Sequence, residues 1–318
     1  MVRNIVSPAL AILATCSLGT VSSYAADYPD LRPAYEPAWQ TGDNSIRFEG
    51  GVRYWMSWGR QDASFDTAIG EVSVDVDDQT HIGELHGRID DLYTNTYLKA
   101  QGGLGLNTSG TYTISPSSAG AIGLRSMIGY AGADYGWMPV GSMADGFALG
   151  AFAGYAYWKD APDIGQGRIV TGFDLLGNPV AFAEARDDFD VHALRLGIRG
   201  TAEFDMFDLQ AEVAYVPYAH VTGVLGGTGD AGFNTGLGTV YESAPTTLTG
   251  RGHGVMAEGM VGFRPTENLA LRVGGRAWYV EGDLEATMNV YGAPSMTVQS
   301  TMASVFRYGA LFELTGRF

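Results

Sequence analysis

The sequence predicts an all-β fold, a transmembrane up-and-down antiparallel β-barrel of ten strands with five long extracellular loops. Three observations carry this expectation. Segments with alternating apolar and polar residues recur from Ile46 onward, and the connections between them alternate between short and long. The chain also holds 45 glycines in 318 residues, about twice the ordinary share, with no Gly-X-Y period. A period of two places successive side chains on opposite faces of a strand. Glycines spread through such segments fit sheets that curve sharply or approach other backbone closely.

The first and last strands are the clearest. Ile46, Phe48, Gly50, Val52 and Tyr54 share one face, and Arg47, Glu49, Gly51 and Arg53 share the other. Near the C-terminus Phe306, Tyr308, Ala310, Phe312, Leu314, Gly316 and Phe318 oppose Arg307, Glu313, Thr315 and Arg317. Charges on one face and aromatics on the other suit a polar lumen and a lipid-facing exterior. Eight further strands are expected at about 82–89, 92–101, 124–137, 147–158, 192–203, 207–218, 254–264 and 269–281. Short turns fall near 90, 138–146, 205 and 265–268. The segments 60–80, 103–122, 160–188, 222–250 and 282–302 are long, polar and rich in Gly, Asp, Ser or Thr. That rhythm matches the short periplasmic turns and long external loops of bacterial outer-membrane barrels. In lipid every backbone N–H and C=O needs a partner, which a closed sheet supplies without edges.

Outside the barrel, taken as 45–318, residues 1–25 read as a secretory signal, which places the mature protein in a Gram-negative outer membrane after Sec-type export. Arg3 precedes a short apolar run at 5–18, and Ser23-Tyr24-Ala25 supplies a cleavage site. That run is too short to span a bilayer. Cys16 is the chain's one cysteine and lies within the signal, so no disulfide is expected. Residues 26–44, with Pro29, Pro33 and Pro37, form a periplasmic arm. Cleavage would remove Arg3 alone, taking 19 basic residues to 18 and the net charge from −16 to −17. Such acidity argues against nucleic acid as a partner. Expected partners are outer-membrane lipid and lipopolysaccharide, the barrel-assembly machinery, for which Phe318 would be the signal, and an extracellular ligand of unknown kind.

The candidate site is the lumen. Arg47, Glu49, Arg53, Arg195, Arg199, Glu203, Glu212, Glu258, Arg272, Arg276, Arg307 and Glu313 fall on the polar faces. Ten strands enclose little more room than the eight-stranded barrels that side chains fill, so these charges are expected to pair across the lumen and plug it. The other constellations read as structural. His81, His86, His192, His220 and His253 are scattered, and a zinc site needs three or four converging ligands. Asp62, Asp66, Glu71, Asp75, Asp77 and Asp78 form an acidic surface loop without the order of a calcium site. Trp55, Trp58, Trp137, Trp158, Tyr54, Tyr155, Tyr157, Tyr215 and Tyr279 fit interfacial girdles. The Gly-rich stretch 223–238 lacks the Lys-Ser/Thr of a phosphate loop. No metal and no cofactor are expected.

From Ile46 to Phe318 the layout of ten strands and five long loops resembles the omptin family of outer-membrane proteases. Omptin-type catalysis implies an Asp pair atop the third strand and an Asp-x-His pair after the seventh. Here the third strand leaves through Gln101-Gly102-Gly103-Leu104-Gly105-Leu106-Asn107, with no acid. The seventh ends in Val216-Pro217-Tyr218-Ala219-His220, with Tyr218 where the acid belongs. A general base needs a carboxylate to orient it, so the expectation is a non-enzymatic surface barrel. It would have a mostly occluded, ion-pair-lined lumen and external loops that bind or shape the envelope. A narrow porin-like channel and an omptin-like hydrolase are the alternatives.

Overall fold

The computed structural model describes residues 45–67, 70–115, 122–163, 169–173, 179–183, 188–225, 233–234, 239–240, 242–290 and 295–318. The expected signal at 1–25 and arm at 26–44 lie outside these residues, as do parts of the expected loops, including most of 223–238. Ten strands build the barrel: β1 (Ile46–Thr67), β2 (Gly70–Asp91), β3 (Thr96–Ser115), β4 (Ile122–Ser142), β5 (Phe147–Asp163), β6 (Asp188–Phe204), β7 (Phe207–Leu225), β8 (Glu242–Thr266), β9 (Leu269–Val290) and β10 (Met296–Arg317). Each pairs antiparallel with its neighbours in sequence, and β1 pairs with β10 to close the sheet. Phe48 and Phe318 exchange two backbone hydrogen bonds, 2.9 and 2.8 Å, across that seam. Two small hairpins, Ile169–Phe173 with Pro179–Ala183 and Phe233–Asn234 with Thr239–Val240, form separate two-stranded sheets.

Side-chain parity decides what faces the interior. On β1, Glu49, Arg53, Trp55 and Ser57 are buried while Phe48, Val52 and Tyr54 are exposed. On β10, Arg307, Leu311, Glu313 and Thr315 are buried while Tyr308, Phe312 and Leu314 are exposed. The same division runs round the barrel, so its outer face is a continuous apolar surface that includes Leu85, Ile198, Val213 and Val273. Water would oppose such a surface strongly, since isolated patches on soluble monomers are far smaller.

The turns at the end holding Ser45 and Phe318 are tight. Asn95 and Asp205 adopt left-handed φ values of 54° and 46°, which Asn and Asp tolerate better than most residues. Asp91 accepts the Tyr93 amide at 2.9 Å in the β2–β3 turn. That turn begins at Leu92, which the sequence pattern placed in the third strand.

The strands are longer than the alternation indicates. Residues 68–69 alone separate β1 from β2, so the expected acidic loop at 60–80 is paired sheet, with Asp62 opposite Asp75 and Asp66 opposite Glu71. Much of 103–122 and 282–302 is likewise strand. At this far end both faces of the sheet are polar in places, and the hydropathy alternation fades although backbone pairing continues. Val74, Val76, Thr108 and Thr111 are β-branched, which suits a pleated surface.

Two irregularities shift the parity. On β7 the register slips at Pro217 and Tyr218, between the Val216–Gly254 and Ala219–Gly252 pairs with β8, because proline cannot donate to the ladder and is accepted at bulges. On β3 it slips at Leu106. Beyond these points the residues facing inward change from even to odd on β7 and from odd to even on β3.

Candidate functional site: the barrel lumen

All twelve charged residues expected on the polar faces point inward and make ion pairs. Ten of them, all but Arg47 and Arg307, form the framework of one network in the half of the lumen nearest the short turns. Arg272 holds Glu49 at 2.8 Å, Glu313 at 2.6 Å and Asp208 at 2.9 Å. Arg53 bonds Glu313 and reaches Glu84 at 2.8 Å and Glu258 at 3.4 Å. Arg276 clamps the same two acids at 2.7 and 2.6 Å. Lys99 bridges Glu258 at 4.0 Å to Glu212 at 2.9 Å, and Glu212 also takes Arg195 and Arg199. Arg317, Glu203 and Arg264 extend the chain to the rim.

The network therefore links every barrel strand except β5. Its members sit at 9 % exposure or less apart from the rim residues. Buried charges are tolerated only when paired. The forks of Arg53, Arg195, Arg272 and Arg276 each meet two or more acids, and Arg199 meets Glu212 and Gln210. Arg47, Asp90 and Arg88 make a smaller cluster beside it.

Several partners escaped the sequence reading. Glu84, Arg88 and Asp90 lie on the strand with the faintest alternation, yet their even spacing was a signal. Lys99 is one of only two lysines, and Asp134 meets Arg195 at 3.0 Å. None of these belonged to a recognised charge-bearing face, because glycines dilute the outward face of β2, at Gly83 and Gly87, and the inward faces of β3 and β4, at Gly103, Gly105, Gly132 and Gly136. Inward glycines have a steric role. A Cβ at Gly103 would run into the Tyr130 ring, and one at Gly59 into Arg307 and Asp78.

Above the network lies an aromatic floor. Trp278 packs edge-on against Trp55, Tyr130 and Trp158 at 5.0, 5.3 and 5.1 Å, and Tyr130 stacks on Trp158 at 5.6 Å. Arg276 lies against it, 5.0 Å from the Trp55 ring centre and 5.5 Å from that of Trp278. Trp55 and Trp158 were expected in an outer girdle; they face the lumen. Trp55 shares parity with Arg53 and Trp158 with Asp160, so the face was legible and residue type misled. Trp137, Tyr54, Tyr155 and Tyr215 do point outward.

Beyond the floor, towards the long connections, is a cavity of about 170 Å³. Phe65, Val76, Tyr112, Val191, Leu248 and Val280 are among its walls. Its charged groups are largely spoken for. Arg307 holds Asp78 at 2.6 Å, and Asp160 accepts from Gln61 at 2.7 Å and from Ser126.

The histidines do not converge. His81 and His192 lie outside against Tyr54 and Tyr155, and His86 lies inside, 3.5 Å from Glu313. His220 pairs across the sheet with His192, and His253 is 3.4 Å from Glu281. Among the described residues no group of three or more His, Cys, Asp or Glu is placed to hold a metal ion. Asp78, assigned to the acidic loop by sequence, points inward to Arg307. On the far extension the Asp75 carboxyl is held above its ordinary value by partial desolvation and by a hydrogen bond with the facing Asp62.

No family model matches the chain, and no curated protein matches it. Solved structures of similar outline are remote. The translocator domain of autotransporter NalP from Neisseria meningitidis is 12% identical, over 84% of this chain and 88% of that one, with a TM-score of 0.35. The transport unit of the autotransporter AIDA-I from Escherichia coli is 10% identical, over 87% and 93%, with a TM-score of 0.35. The Pseudomonas putida toluene transporter TodX is 10% identical, over 88% and 90%, with a TM-score of 0.28. At these values the likeness carries nothing about activity.

Proposed function

We propose that this chain is a non-enzymatic outer-membrane barrel that is closed to diffusion at its periplasmic half and works from its extracellular side. The membrane reading is supported by the outer surface. Phe147 and Tyr155 on β5 stand eight residues apart, as do Phe207 and Tyr215 on β7, with exposed apolar side chains between. At ~3.4 Å per residue and a tilt of ~40° they mark a belt about 20 Å tall, close to the ~25 Å band of such barrels. The short-turn end is then periplasmic and the long-connection end extracellular. Partners on this reading are outer-membrane lipid, lipopolysaccharide and the barrel-assembly machinery.

The observation that carries the closed lumen is the network from Arg264 through Arg272 and Arg53 to Arg195, which crosses the interior between the rim and the aromatic floor. A pore that selects ions by charge presents rings of one sign to water; here each cation is spent on a buried acid. Catalysis has little support, since the third strand offers Gln101 and Asn107 where an omptin needs acids, and no carboxylate contacts His220 among the described hydrogen bonds. Planar-bilayer recording of the refolded barrel tests the proposal. No unitary current is expected, and discrete conductance steps would overturn it in favour of a narrow channel.

A further inference from the structure

We propose that the extracellular half of the lumen is a binding site for a small, uncharged, mainly apolar molecule, with an aromatic ring preferred. The inference deepens the closed-lumen reading, since the network beneath the floor makes the cavity blind.

The cavity is of the right size. Its volume of about 170 Å³ is close to the ~150 Å³ of an engineered apolar cavity that stays dry and takes benzene. Its lining is equally pointed. Barrel interiors are ordinarily polar, and the lower half of this one follows that rule on most strands, with Tyr97, Met138, Met143 and Phe152 packed together beside the short β4–β5 turn. The upper half breaks it, turning Phe65, Val76, Val191, Leu248 and Val280 inward around Trp158 and Trp278. A vestibule meant only for water gains nothing from such walls, and a structural core would be packed to density. Ligand sites, in contrast, are apolar concavities with a few placed polar groups.

The polar groups present select against charge in the ligand. Asp160 is satisfied by Gln61 and Ser126, and Arg307 by Asp78 and Ser57. Arg307 has its charge matched by Asp78 and only its Nε without an acceptor, and the Trp–Tyr floor already has Arg276 against it and Arg307 over Trp158. Gln101 differs: its buried Oε1 has no donor among the described residues. The site therefore fits a ring against the floor with at most one O–H or N–H turned to Gln101.

Benzyl alcohol, which is uncharged, soluble and carries one donor, is the probe. It is titrated into ¹⁵N-labelled barrel (residues 26–318) in lipid nanodiscs, and the indole N–H signals are followed. Saturable shifts are expected for Trp158 and Trp278. Trp137, exposed on the outer face, reports partition into lipid and shifts without saturation. Ala156→Phe fills the cavity and should weaken the saturable shift at least tenfold; Val191→Phe serves if that variant does not give a heat-modifiable band. Shifts that never saturate, or saturable shifts that both filling variants leave unchanged, would overturn the proposal. Conductance recorded on the same preparation separates the two readings. Current with saturable binding removes the closed lumen and keeps the site, whereas no current without saturation removes the site alone.

Discussion

Arg276→Met probes whether the lumen network is truly dry. Arg276 is 3 % exposed and donates to Glu84 at 2.7 Å and lies 2.6 Å from Glu258, with the Trp55 and Trp278 rings against its guanidinium. Methionine keeps much of the packing and removes the charge. Glu84 would retain Arg53 and Tyr130, but Glu258 would be left with Arg53 at 3.4 Å and Lys99 at 4.0 Å. Breaking a buried pair from one side costs about 3–5 kcal/mol because a charge is stranded. At ~1.4 kcal/mol per decade that is about a thousandfold in the folding constant. Equilibrium urea unfolding in lipid vesicles, read by the heat-modifiable gel band, measures it. Adding Glu258→Gln removes the stranded charge and should recover about 2 kcal/mol, within the range of coupling between contacting residues. A loss below about 1 kcal/mol, the ordinary value of a solvated pair, would refute the reasoning, for it would mean that water reaches the network.

Three further outcomes follow from the same geometry. Val213→Arg places a charge on the outer belt and should destabilise the barrel by about 2–4 kcal/mol in vesicles, while Thr111→Arg on the far extension should change stability by less than ~0.5 kcal/mol; equal effects would argue against lipid at Val213. Gly103→Leu must displace the Tyr130 ring, and should lower stability by about 1–3 kcal/mol with a shift in tryptophan emission as Trp158 loses its stacking partner. Asp62→Asn relieves the facing Asp75 and should slow amide exchange on the far ends of β1 and β2 by a few fold, since like charges directly opposite destabilise a sheet by ~0.2–1 kcal/mol. Because the Asp75 carboxyl is raised by desolvation and by the facing Asp62, the benefit of removing the Asp62 carboxylate should be larger at neutral pH and fade as pH falls and Asp75 takes up its proton.

Parity was the most informative property of the sequence, and its failures have physical causes. It assigned the faces of β1, β6, β9 and β10 and the twelve lumen charges, because each of those strands carries several long inward side chains between lipid-facing ones. It missed Glu84, where glycines take outward positions, and Lys99 and Asp134, where they take inward ones, since a glycine marks neither face. The bulges at Pro217 and Leu106 change the inward parity within one strand, and a window that assumes a constant period ends the strand there. The long connections were overestimated for another reason. Beyond the apolar outer belt the outward positions turn polar, so hydropathy alternation stops some distance before the ladder does.

The aromatic residues make the same point more sharply. Trp55 carries the parity of Arg53, and Trp158 that of Asp160, but an aromatic near a strand end reads as a girdle residue unless parity is allowed to overrule type. Allowing it turns four rings inward onto one level, directly above the charges. That level divides the lumen: below it the walls are mainly ionic and mutually neutralised, with Tyr97, Met138, Met143 and Phe152 clustered beside β4 and β5. Above it they are mostly Phe, Val, Leu and Tyr around Arg307, Asp78 and Asp160. A uniformly polar lumen would make a pore and a uniformly packed one a plug. On the proposed reading, a lumen that changes character at an aromatic floor has a closed side and a receiving side, and the long strand extensions continue the wall on the receiving side alone.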